Sequence, residues 1–338
     1  MQTAIISGIT GQTGSFICDL LLSKGYKVYG IKRRSSSLNT ERLDHNYNDL
    51  HIDDKLELVY GDMSDYSSLS NLISDVKPDL FFNMAAQSHV RVSFDIPEYT
   101  MDVVGTGVIR VLEAIRKNSP KTKFLTASSS EMFGSTPPPQ NEDTKFAPCS
   151  PYACAKVAGY YSTINYREAY GMHASNAISF NHESPRRGET FVTRKITMAA
   201  TRIKLGLQDK LYLGNLEAKR DWSHAADVAE AMYKIITAPS PGDFVVASGS
   251  MHSVREFAEL VFSKLGLDYK KHVEFDARYL RKTEVDALCG DASKIKKQLA
   301  WEPKYTFDML VNEMIDNDME LAKRELLIKN NINDIKIK

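Results

Sequence analysis

The sequence is short of cysteine, of long apolar runs and of net charge, and each shortage excludes something. Four cysteines stand in 338 residues, Cys18, Cys149, Cys154 and Cys289, with no C-x-x-C pair among them. That spacing excludes a disulfide scaffold and a zinc ribbon, and reduced thiols in the cytoplasm are expected. No stretch approaches the ~18 consecutive apolar residues of a membrane span. Residues 3–7 form a strand-like run with no basic segment and long apolar stretch before it, so no secretion signal is expected. The 43 basic residues balance 43 acidic ones. No overall field favours nucleic acid or a membrane surface, so an anionic ligand must be held by local cations.

What is present is a regular alternation. Apolar runs at 3–7, 27–31, 56–60, 80–85 and 124–127 read as strands. Segments with helical spacing, 15–23, 69–76 and 103–116, separate them. Near-continuous apolar strands alternating with helices indicate an α/β fold with a parallel sheet covered on both faces. Residues 137–151 are rich in proline and polar side chains and read as a loop, followed by a helix over 151–170 and a strand over 174–180. The rhythm then breaks: 183–191 and 217–221 are polar with little periodicity. A strand at 244–247, a helix at 254–265 and a late helix at 309–325 follow, and the polar end, 331–338, is expected to fray.

The first motif is Gly8-Ile9-Thr10-Gly11-Gln12-Thr13-Gly14, a G-x-x-G-x-x-G between a strand and a helix. The glycines allow a tight turn and close approach to a pyrophosphate, while the helix N-terminus favours its charge. This predicts a dinucleotide-binding, Rossmann-type doubly wound sheet. At the end of the second strand an NAD site carries an acidic residue that accepts from the ribose 2′-hydroxyl. Here the run is Lys32-Arg33-Arg34-Ser35-Ser36. A guanidinium grips a 2′-phosphate where a carboxylate would repel it, so NADP is expected, with Arg33 and Ser36 as contacts. Asp62, after the third strand, is placed to accept from the adenine amine.

The second motif is Tyr152-Ala153-Cys154-Ala155-Lys156, at the start of the long helix. Residues four apart share a helix face, which brings the ammonium near the phenol. An unperturbed tyrosine, pKa ~10, needs about 4 kcal/mol of help to work near neutrality. A positive charge at ~4–5 Å in an effective dielectric of ~20 supplies about that much. Between the motifs lies Ser128-Ser129-Ser130-Glu131, directly after a strand. Ser129 can bond a reacting hydroxyl beside Tyr152. Glu131 is the discriminating residue, because plain alcohol oxidation needs no carboxylate there, whereas an elimination needs a base.

These residues resemble the GDP-mannose 4,6-dehydratases, within the extended short-chain dehydrogenases. The resemblance runs from Gly8 to about Leu321 and is carried by 31–36, 85–90, 129–131, the whole string 181–196, Gly214-Asn215, 219–222, and Arg281 with Glu284-Val285. It implies Ser129, Glu131, Tyr152 and Lys156 as catalytic residues. It implies a cofactor site on Gly8, Thr10, Gly11, Gln12, Thr13, Gly14, Arg33, Ser36, Asp62, Met63, Ala85 and Gln87, with Tyr152 and Lys156. It implies substrate contacts from Ser88, Asn181, Lys195, Arg220, Arg281 and Glu284. Arg186 and Arg187 are implied to reach a cofactor or a neighbouring subunit. The reaction implied is C4 oxidation, loss of water across C5 and C6, and hydride return to C6 of a GDP-linked manno-configured sugar. GDP-mannose and GDP-manno-heptose both remain open as that sugar. A 4-keto reductase or epimerase of the same fold, and a non-catalytic NADP-binding sensor, are the alternative functions.

The family also implies a homodimer or homotetramer, in whose tetrameric form residues 34–42 reach a neighbour's cofactor. Departures are Ser129 where threonine is usual, Cys149 where arginine is usual, Lys282 where proline is usual, and a shorter 267–277. His182 and Glu183 adjoin without H-E-x-x-H spacing, so no metal is expected. The expected domains are a cofactor domain over 1–180, to which 222–250 returns, and a smaller C-terminal α/β nucleotide-sugar domain from 181–221 and 251–330.

Overall fold

A computed structural model describes the chain except residues 37–38, 47–54, 281 and 337–338, and the side chains of 332–336. Its strands, in chain order, are β1 (Thr3–Ser7), β2 (Lys27–Lys32), β3 (Leu56–Tyr60), β4 (Leu80–Asn83), β5 (Lys123–Ser129), β6 (Ala174–Ser179), β7 (Asn181–Glu183), β8 (Leu211–Leu213), β9 (Lys219–His224), β10 (Asp243–Val246), β11 (Met251–Ser253), β12 (Val273–Phe275) and β13 (Ala287–Leu288). Seven form one sheet in the order β10-β6-β5-β4-β1-β2-β3, and every neighbouring pair is parallel. The doubly wound α/β fold expected from the alternation is the fold observed.

Pleating explains why the strands read as continuously apolar. Ala4, Ile6, Val28, Phe82, Leu125 and Val246 face one way, into a core with the helices Gln12–Ser23 and Ala225–Thr237. Ile5, Ile31, Phe81, Phe124 and Ala174 face the other way, against Tyr66–Val76 and Gly107–Asn118. Both faces are dry, so alternation of polar and apolar residues is lost. The strands all end on one side, where crossovers to helices leave a crevice.

The later chain builds a second layer. β9 pairs with β7, β11 and β13, and β12 pairs with β8. Ile196, Leu213, Trp222, Phe257, Phe262, Leu310 and Met314 form its core, between the helices Val192–Lys204, Val254–Lys264 and Phe307–Lys336. The capping box at Ser253 and Glu256 starts the middle helix by satisfying two terminal N–H groups.

Two stretches differ from the sequence reading. Residues 217–221, read as an aperiodic polar segment, enter β9, where Arg220 and Asp221 are buried. Asp221 is tolerated there because its carboxylate accepts from Ser248 N–H and Oγ–H and from Gly249 and Gly290 N–H, at 2.6–3.2 Å. A strand that satisfies its polar groups internally shows no hydrophobic period. The end expected to fray from 331 continues as helix to Lys336, since no glycine or proline after Pro303 stops it.

Replacing Asp221 by alanine leaves the buried Gly290 N–H and the half-buried Ser248 donors without their acceptor, while the exposed Gly249 N–H can turn to water. The expected cost is about 3 kcal/mol or more. Thermal unfolding should show a clear drop in Tm for Asp221→Ala and a smaller one for Asp221→Asn, which keeps one acceptor oxygen.

Candidate active site

A cleft of about 750 Å³ runs along the C-terminal ends of the parallel strands. At one end is the glycine motif. Gly8 has φ +67°, and a Cβ there would stand 2.8 Å from the backbone of Ala85. A Cβ on Gly14 would stand 2.3 Å from the Gly8 carbonyl oxygen. Only glycine permits this turn, and the turn aims the N-terminus of the helix Gln12–Ser23 into the cleft. That terminus has no side-chain cap and no acidic residue in its first turn, which leaves its N–H groups and positive dipole for an anion.

Thr10, Gly11, Gln12 and Thr13 line the same end. Gln12 and Thr13 also reach across to β7. Gln12 Nε2 donates to the His182 carbonyl at 2.9 Å, and Ser184 Oγ donates to Gln12 Oε1 at 2.6 Å. Burial pushes the His182 imidazole down to about 4, so it is neutral. Its Nδ1 faces the Phe180 carbonyl at 2.9 Å and must carry the proton, so Nε2 accepts from Thr13 Oγ at 2.7 Å.

Arg33 stands exposed on the cleft wall with Nη1 donating to Tyr99 Oη at 2.5 Å. Asp62, Met63, Ala85 and Gln87 line the wall beside it. One Asp62 oxygen accepts from Ser64 N–H and Oγ–H. Ser36 is exposed and does not line the cleft.

The cleft floor brings the reactive residues together. Ser129 ends β5 and caps the following turn, its Oγ accepting from Glu131 N–H at 3.2 Å. Ser150 caps the long helix Pro151–Tyr170, which presents Tyr152 and Lys156. Ser129, Glu131, Tyr152 and Lys156 are each 7–8% exposed. Lys156 Nζ lies 5.7 Å from the Tyr152 ring centre and donates to the Ala127 carbonyl. Burial pushes the Tyr152 phenol up to about 12, against the Ser129 hydrogen bond; the Glu131 charge adds to the rise and Arg187 opposes it. Burial brings the Lys156 ammonium down to about 8. The phenol therefore moves away from neutrality, opposite to the expectation from lysine spacing alone, because desolvation exceeds the charge effects.

Ser88, Asn181, Lys195, Arg220 and Glu284 also line the cleft. Lys195 Nζ donates to the Tyr212 carbonyl at 2.6 Å and lies 3.3 Å over the Tyr279 ring. Arg220 Nη1 donates to the Val285 and Lys219 carbonyls. Arg281 lies outside the described residues. Tyr279 and Arg278 also line the cleft and were missed, having no motif around them, and Arg42, in the segment 34–42 implied to reach a neighbour's cofactor, lines this chain's own cleft. Arg42 Nε donates to the Arg186 carbonyl at 2.7 Å. Among the described residues no group of three or more His, Cys, Asp or Glu is placed to hold a metal, and no helix is long and apolar enough to cross a membrane.

The family model for GDP-mannose 4,6 dehydratase matches residues 5–314. This chain belongs to the GDP-mannose 4,6-dehydratase family. GDP-mannose 4,6 dehydratase 1 of Arabidopsis thaliana is 56% identical over 333 residues, covering 97% of this chain and 92% of its own. The GDP-mannose 4,6 dehydratase of Homo sapiens is 47% identical over 346 residues, covering 95% and 92%. Among solved structures, dTDP-glucose 4,6-dehydratase of Bacillus anthracis, in complex with NAD, superposes with a TM-score of 0.80 at 22% identity, covering 94% and 96%. That likeness is one of fold, whereas the family likeness extends over nearly all of the sequence.

Two outcomes are expected in this GDP-mannose 4,6-dehydratase family member. Gly8→Ala forces an L-residue to positive φ, at about 1–2 kcal/mol, and into Ala85. Nucleotide titration should show weakened binding, and unchanged affinity would contradict the packing argument. Because Lys156 is brought down to about 8, its charge is complete at lower pH and lost as pH rises through that value. A rate that needs the ammonium should fall along that limb of a pH–rate profile, and a profile flat well beyond it contradicts the role.

Proposed function

We propose that this protein is an NADP-dependent GDP-mannose 4,6-dehydratase, a hydro-lyase. The observation that carries the reading is the buried grouping of Glu131 with Ser129, Tyr152 and Lys156, in one cleft with a phosphate-binding turn and several basic and amide side chains. NADP fits the residues present. The glycine turn leaves room that a Cβ would fill, and the run Lys32-Arg33-Arg34 at the end of β2, where an NAD site carries an acidic residue, suits a 2′-phosphate. The solved fold relative holds NAD, so the fold alone does not select the cofactor. NADP held there would supply a hydride acceptor for sugar C4 and a hydride donor for C6, so no reductant would be consumed.

This chain's residues do the rest. Ser129 holds the sugar 4-hydroxyl, and Tyr152 takes its proton; the phenolate this needs is favoured, against the burial that raises the phenol, by the Lys156 ammonium and by the positive charge that an oxidised nicotinamide would add. The resulting 4-ketone acidifies the C5–H bond. Glu131 removes that proton and assists departure of the C6 hydroxyl as water. The C5 proton is restored as C6 is reduced, giving the 4-keto-6-deoxy sugar. Lys195, Arg220 and Asn181, with Arg281, bind the GDP, whose diphosphate needs cations in a chain of zero net charge. Residues 1–180 with 222–250 serve the cofactor, and 181–221 with 251–330 serve the nucleotide sugar. Free Cys18, Cys149, Cys154 and Cys289 suit a cytoplasmic location. The exposed apolar side chains Met101, Ile109 and Tyr161 suit a homodimer or homotetramer, which light scattering would distinguish.

The test is incubation with GDP-mannose, and separately with GDP-manno-heptose, without added reductant. A 4-keto-6-deoxy product from GDP-mannose supports the reading. Product from the heptose alone moves the substrate, and no product from either contradicts a dehydratase. Glu131→Gln should keep C4 oxidation and lower the dehydration rate by about a thousandfold. Full dehydration by that variant removes Glu131 as the base.

A further inference from the structure

Residues 182–188 cross from β7 back over the glycine turn, and several contacts fix them there. Gln12 and Thr13 bind His182, Ser184 binds Gln12, and Arg186 donates to Ser15 Oγ at 3.1 Å and pairs with Asp19 at 2.8 Å. His182, Glu183, Arg187 and Gly188 of this strap line the cleft. Arg187 lies 3.0 Å from the Glu183 carboxylate, close enough for an ion pair though not aligned for a hydrogen bond, and 3.8 Å over the Phe191 ring. Its backbone direction, more than its own bonds, therefore sets where its charge lies.

That direction is held from behind by a residue pair outside the cleft. Arg194, on the helix Val192–Lys204, donates through Nη1 to the carbonyls of Pro185 and Arg187, the latter at 3.0 Å. Its Nε faces both oxygens of Asp318 at 2.7 and 2.9 Å. Asp318 lies on the last helix, Phe307–Lys336, is 1% exposed, and accepts from Thr197 Oγ at 2.6 Å and from Asn317 Nδ2 at 3.0 Å. Arg194 is 5% exposed and does not line the cleft. A buried guanidinium shared between one carboxylate and two carbonyls is rigid, because each partner it released would be left desolvated.

We infer that the Arg194–Asp318 pair is a positioning clasp, by which the last helix holds the 182–188 strap closed over the cofactor's phosphate-binding turn. The inference rests on the proposed NADP-dependent reading and deepens it. A reaction that takes hydride from C4 and returns it to C6 works only if the nucleotide stays bound between the two transfers. A strap across its binding turn, pinned from the second layer, serves that need. Neither Arg194 nor Asp318 touches the reacting atoms, so each acts through the position of the strap.

The test uses the full chain and measures NADPH binding by fluorescence titration, nucleotide retention through gel filtration, and Tm. Arg194→Lys keeps a charge opposite Asp318 but loses the fork that spans two carbonyls. Asp318→Asn keeps the shape and removes the charge. Both should weaken NADPH binding about tenfold or more and make turnover of GDP-mannose depend on added NADP⁺. Thr197→Val removes one bond to Asp318 without touching the strap, so it should lower Tm and leave NADPH affinity unchanged. If Arg194→Lys and Asp318→Asn bind NADPH as the unsubstituted protein does, or if Thr197→Val weakens binding as much as they do, the clasp is structural only and the inference fails. If Asp318→Asn does not fold, Arg194→Lys alone decides the matter by the same readouts. Failure of the unsubstituted protein to bind NADPH would overturn the NADP reading itself.

Discussion

The site depends on burying a phenol, an ammonium and a carboxylate together at the end of β5. Each of these groups resists leaving water, and burial alone moves the phenol and the ammonium toward their neutral forms. A site of this kind is stable only where fixed partners compensate. The Ala127 carbonyl takes a proton of Lys156, Ser129 meets the phenol, and Arg187 supplies a distant positive charge. The result is a set of polar groups that are held in place and poorly solvated, the condition under which a charge developing on a sugar is felt most strongly.

The rest of the molecule is arranged around that condition. The parallel sheet brings the glycine turn, Ser129 and the Tyr152 helix to the same edge because every strand runs the same way. The second layer closes over that edge through β7 and the segment after it. Polar burial recurs there, in Asp221 beneath β9 and in Arg194 with Asp318, and each is satisfied by several hydrogen bonds. These buried groups tie loops that are distant in sequence to one cleft, which hydrophobic packing alone would do with less directional control.

Much of the fold was legible because its signals are local. A glycine turn between strand and helix, apolar strands at regular intervals and a Y-x-x-x-K after a serine-rich strand end each follow from short-range sterics or helix period. The second layer was harder to read. β9 carries the buried Arg220 and Asp221, whose partners lie 27 to 69 residues away. No short window of sequence contains those partners, so the strand showed only polarity without a period. Tyr279 and Arg278 were missed for a related reason, since each reaches the cleft only through tertiary packing. The tyrosine's upward displacement was also hidden, because spacing reveals the neighbouring lysine but not the loss of water. The late helix was placed correctly and ended too early, since a polar sequence without glycine or proline has no stop written into it.

The central claim is that one carboxylate exploits a transient ketone while hydrogen moves from C4 to C6 of the same sugar. It is tested most directly by supplying GDP-mannose deuterated at C4, in ordinary water, and locating the label in the product by NMR. The account predicts deuterium at C6 of the product and, when unlabelled substrate reacts in heavy water instead, solvent deuterium at C5. Label lost to the medium, or a C5 position that never exchanges, would contradict it.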